Sequence, residues 1–338
     1  MKYTSEMKDA LKKRILINAD NHPQDLVQYA VKNLALSKNT VIKYIDELIK
    51  DGKLIRTNIG RYPYYKLKSE ITDLFFQNDK KLSEEQMIAE SYNFIGKLPF
   101  EISQIFDYTF MEIANNAIEH SESKNISVRL EKTVTKLKVN IKDDGIGIFN
   151  KIKNDLNLLN DKQAIIELSK GKFTSNPEHH SGEGIFFSSK LCDEFYIKSG
   201  TLIYSPLEKI PKDILDIDCK TGTQVIFVIN FDTKKSAKQI FEEFAGSDFD
   251  NPQFKTIIQL RFMQMEGMTL TSRSQARRLL TRLEKFTSVV LDFSEVNFIG
   301  QAFADEIFRV YRRQNPKTKL EVENANSEIQ TMIAHVER

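Results

Sequence analysis

Tryptophan is missing from all 338 residues, and cysteine occurs only twice, at Cys192 and Cys219. Two thiols cannot build a disulfide framework, so the expectation is a pair of buried thiols in a reducing, cytoplasmic compartment. No apolar run approaches the roughly 18 residues that a membrane span needs. The opening MKYTSEMKDALKKR is polar and amphipathic, without the apolar centre of a secretory signal. Internal repeats and low-complexity tracts are lacking too.

The charged fraction of 28% and the hydrophobic fraction of 41% are those of a globular protein, and the length exceeds one ordinary core. A formal net charge of +2 conceals an asymmetry. Through Glu70 there are fourteen Lys/Arg against eight Asp/Glu, leaving 35 basic against 39 acidic residues in the remainder. A basic head on a mildly acidic body implies that the head alone meets an anionic partner.

Three segments follow from the hydrophobic pattern. Residues 1–68 read as three short helices and a hairpin. Met7 to Ile17 is amphipathic, Gln24 to Leu34 follows Pro23, and Ser37 is placed to cap a third helix with Val41, Ile45, Leu48 and Ile49 inward. KLIRTNIGRYPYYKL then supplies two β-prone runs about a turn at Asn58 to Gly60. Residues 70–231 read as two helices, a β-hairpin in ISVRLEKTVTKLKVNIKDDG, a glycine-punctuated stretch and further strands. Residues 232–252 are a polar connector. Residues 253–338 alternate strands (Thr256 to Phe262, Ser288 to Phe293, Lys319 to Val322) with helices (Ser274 to Phe286, Ala302 to Arg313, Ser327 to Val336), as in a small open sheet with helices packed on it.

The chemistry concentrates in the middle segment. FMEIANNAIEHS is a helix whose apolar face is edged by Glu112, Asn116 and His120, each four residues from the next. Asparagine is a poor interior helix residue, so a carboxylate, an amide and an imidazole in one stripe ask for a ligand. Further on, VNIKDDGIGIF places Asp143, Gly145 and Gly147 after a strand, SGEGIFF places Gly182 and Gly184 before a helix, and KTGTQVIFVI ends the segment. Mg²⁺ takes oxygen ligands and keeps several waters, so one amide oxygen beside phosphate oxygens anchors it. A carboxylate one turn earlier can take the proton of an attacking water. An ionised aspartate only accepts hydrogen bonds, which suits the exocyclic amine of adenine and rejects the carbonyl of guanine. Glycines admit close backbone approach, and a helix N-terminus favours negative charge.

In this order the four motifs resemble the ATP-binding domain of the GHKL superfamily, the Bergerat fold. The resemblance implies a general base at Glu112 and a Mg²⁺ ligand at Asn116. It also implies an adenine-binding aspartate at Asp143, with Gly145 and Gly147 beside the base. Phosphate-facing amides fall at Gly182 and Gly184, and a supporting threonine at Thr223. KFTS resembles the start of the histidine-kinase lid, which makes Lys172, Thr174 and Ser175 phosphate contacts. The preceding SEEQMIAESYNFIGKLPFEIS carries no histidine, against a conventional histidine kinase.

The head resembles a winged helix-turn-helix. That implies double-stranded DNA read by Lys38, Asn39, Thr40 and Lys43, with Arg56, Arg61 and Lys66 on the phosphates of the duplex. A basic protein-docking module is the other reading. The C-terminal segment resembles a STAS-like domain, chiefly through VVLDFSEVNFIGQAFADEIF. The hydroxyl that such domains offer for phosphorylation is replaced by Ile299, Gly300, Gln301 and Ala302. Ser294 reads as a turn residue, while Phe298, Ile299, Ala302 and Phe303 read as core or docking surface. Arg273, Arg277, Arg278 and Arg282 read as a solvated helix face.

The expected fold is therefore α+β and multidomain: a winged helix, a Bergerat α/β sandwich with helices on one face of a mixed sheet, and a small STAS-like α/β domain. The expected function is an ATP-dependent regulator. ATP and Mg²⁺ order residues 148–181, slow hydrolysis resets them, and DNA binding is the output. A serine/threonine protein kinase acting on a partner protein, or a nucleotide sensor without turnover, are the alternatives. A protein partner or a homodimer completes the expectations.

Overall fold

The computed structural model describes residues 4–60, 62–171, 182–246, 254–264 and 269–338. In the head, α1 (Ser5–Ala19), α2 (Leu26–Leu34) and α3 (Lys38–Lys50) precede a hairpin of β1 (Leu54–Ile59) and β2 (Tyr62–Leu67). Ser37 caps α3, its hydroxyl accepting from the Thr40 amide at 3.2 Å. Val41, Tyr44, Ile45 and Leu48 turn inward from α3 and meet Ile15, Leu26, Leu54 and Leu67 in a core that belongs to the head alone. Ile49 is only partly buried at its margin.

The body begins after two residues, Lys68 and Ser69. β3 (Glu70–Gln77) pairs along its whole length with β4 (Asn125–Lys132), an edge strand where the sequence pattern led straight to helices. Between them lie α4 (Glu84–Ile95) and α5 (Phe100–Asn115), the latter extended by a π-helical turn, Asn116–His120. β5 (Lys136–Asp143), α6 (Ile148–Asp155), α7 (Asp161–Lys170), α8 (Gly184–Leu191), β6 (Glu194–Ser199), β7 (Leu202–Tyr204), α9 (Lys212–Leu215) and β8 (Gln224–Asn230) follow. The strands form one six-stranded sheet in the order β3-β4-β5-β8-β6-β7. Every neighbouring pair is antiparallel, which corrects the expected mixed sheet. β5 and β6 run the same way, and β8 inserts between them in the opposite sense. Strict alternation in β5 puts Leu137, Val139, Ile141 and Asp143 on the helix-covered face.

α10 (Ala237–Ala245) interrupts what reads as a polar connector. Its Phe241 and Phe244 pack edge-on or tilted against Phe187 and Phe186 of α8. The C-terminal segment holds β9 (Lys255–Gln259), α11 (Arg261–Gln264), α12 (Arg273–Leu280), β10 (Ser288–Asp292), α13 (Gln301–Ala304), α14 (Arg312–Gln314), β11 (Lys319–Glu323) and α15 (Ser327–Val336). α13 and α14 are joined by a π-helical stretch, Asp305–Tyr311. The strands make a parallel sheet in the order β11-β10-β9, the open sheet that alternation predicts. Two boundaries differ. The first strand stops at Gln259 because the chain turns into α11. The helix expected through Phe286 breaks at Thr281, and Arg282 takes a left-handed φ of 67°.

The arginines of α12 are not simply solvated. Arg273 pairs with Asp305 at 3.0 Å and Arg277 with Glu306 at 2.8 Å, tying α12 to the π-helical stretch. Ile299 and Phe303 are core, whereas Phe298 is half exposed. Ser294 makes the expected turn, its amide and hydroxyl both donating to Asp292 Oδ1. One continuous cluster of buried side chains runs from Phe76 to Val336, spanning both sheets. The head joins the body through the Asp20–Lys136 ion pair at 2.6 Å and the short β2–β3 link.

The two largest hydrophobic clusters, one in the head and one in the body, predict two calorimetric transitions. Ile45→Ala should lower only the smaller one, by about 2–5 kcal/mol, and Phe303→Ala only the larger. Scanning calorimetry of both variants checks the assignment.

Candidate functional site

α5 owes its position to Phe106, Phe110, Ile113 and Ala114, all buried against the sheet. The opposite edge of that helix opens on a cavity of about 310 Å³ lined by Glu112, Asn115, Asn116 and His120. Asn116 stands where α-helix gives way to the π-helical turn, so its low helix propensity opposes little there. Single π turns inside α-helices concentrate at functional positions, because they re-aim side chains at a cost in hydrogen bonding. Ser121 closes the turn, its hydroxyl donating to the Ala117 carbonyl at 2.5 Å.

At one end of the cavity Asp143 is buried, with 5% of its surface exposed. Its Oδ1 accepts from the Gly145 amide at 2.9 Å and the Thr223 amide at 3.1 Å. The Thr223 hydroxyl accepts from the Ile148 amide at 2.9 Å, so one threonine ties β5, the start of α6 and the start of β8 together. Burial pushes the Asp143 carboxyl above its ordinary pKa, and the backbone bonds oppose that rise. Gly222 makes this knot sterically feasible. Its φ is +72°, and a Cβ there would lie 2.0 Å from the Asp143 carbonyl oxygen.

At the other end Gly182, just ahead of α8, and Gly184, its first residue, line the cavity. A Cβ on Gly184 would lie 1.9 Å from Glu112 Oε2, so the glycine seats the carboxylate against the start of the helix. Gly147, Ile148, Lys151, Leu168, Gly171, Phe186 and Thr223 also line it. Burial, with the nearby charges of Glu112 and Glu183, pushes the Tyr108 phenol up.

Of the residues that the sequence pattern singles out, Glu112, Asn116, Asp143, Gly147, Gly182, Gly184 and Thr223 come together around this one cavity. Gly145 stands behind the wall: a Cβ there would lie 2.0 Å from the Ser121 carbonyl oxygen. Lys172, Thr174 and Ser175 lie outside the described residues, as does Arg61. Lys38, Asn39, Lys43, Arg56 and Lys66 are exposed on the head, and Thr40 is half-buried at the start of α3. Asn39 and Lys43 lie beside Ile42, Asp46, Glu47 and Lys50 in a shallow groove of the head, apart from the cavity. Gly222, Ser121, Lys151 and Gly171 are site residues that the sequence reading did not single out. Gly222 carries a signal, since it directly precedes Thr223 in KTGT. Lys151, one turn beyond Gly147, carries none.

Among the described residues no group of three or more His, Cys, Asp or Glu side chains could hold a metal by itself. The donor set beside Asn116 and Glu112 is oxygen-rich but sparse, which fits a hard cation brought in with phosphate oxygens. Residues 79–203 match the family described as histidine kinase-like ATPase domain, and residues 275–330 match the STAS-like domain of unknown function (DUF4325). The first match covers Glu112, Asn116, Asp143 and both glycine motifs and stops before Thr223. No curated protein matches the chain. The similarity suggests ATP binding, with ATPase- or kinase-type chemistry.

Asparagine at position 143 could still accept the two backbone bonds while losing the charge. Because the folded carboxyl titrates above its unfolded value, its burial penalty is complete above the folded pKa and relaxes as pH falls through it. Asp143→Asn should therefore raise the melting temperature of the nucleotide-free protein at pH 7. The gain should shrink on acidification, and the upward shift on adding ATP should disappear. Thermal melts across pH, with and without ATP, read both effects.

Proposed function

We propose that this chain is an ATP-dependent regulator that binds Mg-ATP in the Glu112–Asp143 cavity, hydrolyses it slowly, and couples nucleotide state to DNA binding by residues 1–68. The observation that carries the reading is convergence. Seven residues scattered from Glu112 to Thr223, each chosen for one step of nucleotide chemistry, line a single cavity.

Ionised Asp143 accepts the adenine amine, and its bonds from Gly145 and Thr223 hold the carboxylate in one orientation. Ile113, Ile141, Ile148, Ile152 and Val225 supply apolar walls for a base. Asn116 offers an amide oxygen to Mg²⁺, which when bound neutralises phosphate charge. Glu112, one turn earlier, orients a water and takes its proton. Amides at the start of α8 face the negative charge. ATP shifts the protein between forms only by its difference in affinity for them.

Hydrolysis is favoured over transfer within the chain by the STAS-like segment, whose Ile299–Ala302 stretch carries no hydroxyl. Transfer to a separate protein remains the rival outcome, and radiolabelled ATP with candidate partners distinguishes phosphate release from phosphoprotein. The head supports the DNA reading through its excess of basic residues and the exposed start of α3.

Glu112→Gln should retain Mg-ATP binding by calorimetry and lose about 10²–10⁴-fold in phosphate release. Equal turnover in the variant would remove Glu112 from the chemistry. For the head, Lys43→Ala and Arg56→Ala should each weaken duplex binding and lower the salt slope by about 1, read by fluorescence anisotropy across a salt series. Binding unchanged in both would make the head a protein-docking module.

A further inference from the structure

Lys170 is among the largest fully buried side chains, yet it does not line the cavity. It ends α7, and the C-terminal segment holds it at both ends. Its ammonium donates to Glu167 Oε1 at 2.6 Å, to the Thr281 carbonyl at 3.0 Å and to the Arg278 carbonyl at 3.3 Å. Those carbonyls belong to the end of α12, where helix geometry leaves acceptors unpaired and the macrodipole is negative. Its own carbonyl accepts from the hydroxyl of Thr256, a fully buried residue of β9, at 2.7 Å. Burial pulls the Lys170 pKa down, opposed by Glu167.

The next residue belongs to the cavity wall. Gly171 has φ +78° and lies so close to Phe186 that a Cβ would meet its ring at 2.8 Å. Phe186 also lines the cavity and packs edge-on against Phe244, at 5.3 Å between centroids. The adenine-side wall has its own tie to the same segment. Arg261, just beyond β9, donates to the carbonyls of Ser205, Leu207 and Glu208 at 3.1, 2.7 and 3.3 Å. That stretch runs on through α9 to Gly222, whose carbonyl accepts from Ser199 Oγ at 2.7 Å.

We infer that Lys170 is a positioning residue for the nucleotide site: it holds Gly171 and Phe186, on the α8 side of the cavity, against α12 and β9 of the STAS-like segment. Nucleotide occupancy and the seating of that segment are therefore linked. The inference rests on the nucleotide reading above. Linkage is reciprocal, so whatever factor seating adds to nucleotide affinity, nucleotide adds to seating.

The test is hydrogen exchange on the full chain with and without a saturating non-hydrolysable Mg-ATP analogue. Amides of residues 279–283 should exchange at least fivefold more slowly with nucleotide, and those of residues 41–48 in the head should not change. Thr256→Val, which removes one bond without stranding a buried charge, should weaken nucleotide binding about fivefold, and Thr256→Ser should restore it. Lys170→Met should abolish the protection at 279–283; should that variant fail to fold, the wild-type exchange and the Thr256 pair decide alone. Protection of residues 143–148 with unchanged exchange at 279–283 overturns the linkage and leaves the nucleotide reading intact. Protection at neither place overturns the nucleotide reading and the inference with it.

Discussion

The site depends on one carboxylate held out of water. Asp143 ends β5 on the helix-covered face, where an ionised group is costly, and of its two backbone bonds one comes from the adjoining turn and the other from the start of β8. Supplying them requires β8 to lie directly beside β5, with Thr223 entering the strand as Asp143 leaves its own. It also requires Gly222 in a left-handed conformation and Gly145 pressed on the end of the long helix. The antiparallel order of the sheet, the glycine spacing and the buried charge are thus one constraint seen at three scales. A group so placed is poorly arranged for stability and well arranged for reading a hydrogen-bond donor.

Much of the site could be read from residues alone, because its chemistry follows helix periodicity and glycine placement. Glu112, Asn116 and His120 share a stripe at a four-residue spacing, and the structure sets all three on the cavity. The π-helical turn was illegible, since the residues that form it also satisfy the α-helical pattern up to His120. β3 was hidden for a different reason. An edge strand alternates against solvent, and its Phe75, 80% exposed, breaks the expected division of apolar and polar faces. The break at Thr281 and Arg282 carries no glycine or proline, so nothing local announces it. Lys170 could not be found at all, because a lysine at a helix end ordinarily reads as solvated.

The relation between the two halves of the body was equally invisible. Composition marked residues 232–252 as a polar link, yet their helix buries aromatic side chains against α8, and a single apolar cluster continues into the C-terminal sheet. Segment boundaries drawn from polarity locate changes of pattern along the chain. They carry no information about which faces are left to be covered.

The head stands in the opposite relation to its neighbour. Only Lys68 and Ser69 separate the last strand of the head hairpin from the edge of the six-stranded sheet. At about 3.3–3.6 Å per extended residue, such a tether keeps the hairpin close to the sheet edge. A twist of the sheet edge would carry the hairpin with it. On the DNA reading, the separation and phasing of two heads on a duplex would be dictated by how two bodies associate. Operator geometry would then be a property of the assembly rather than of the recognition helix.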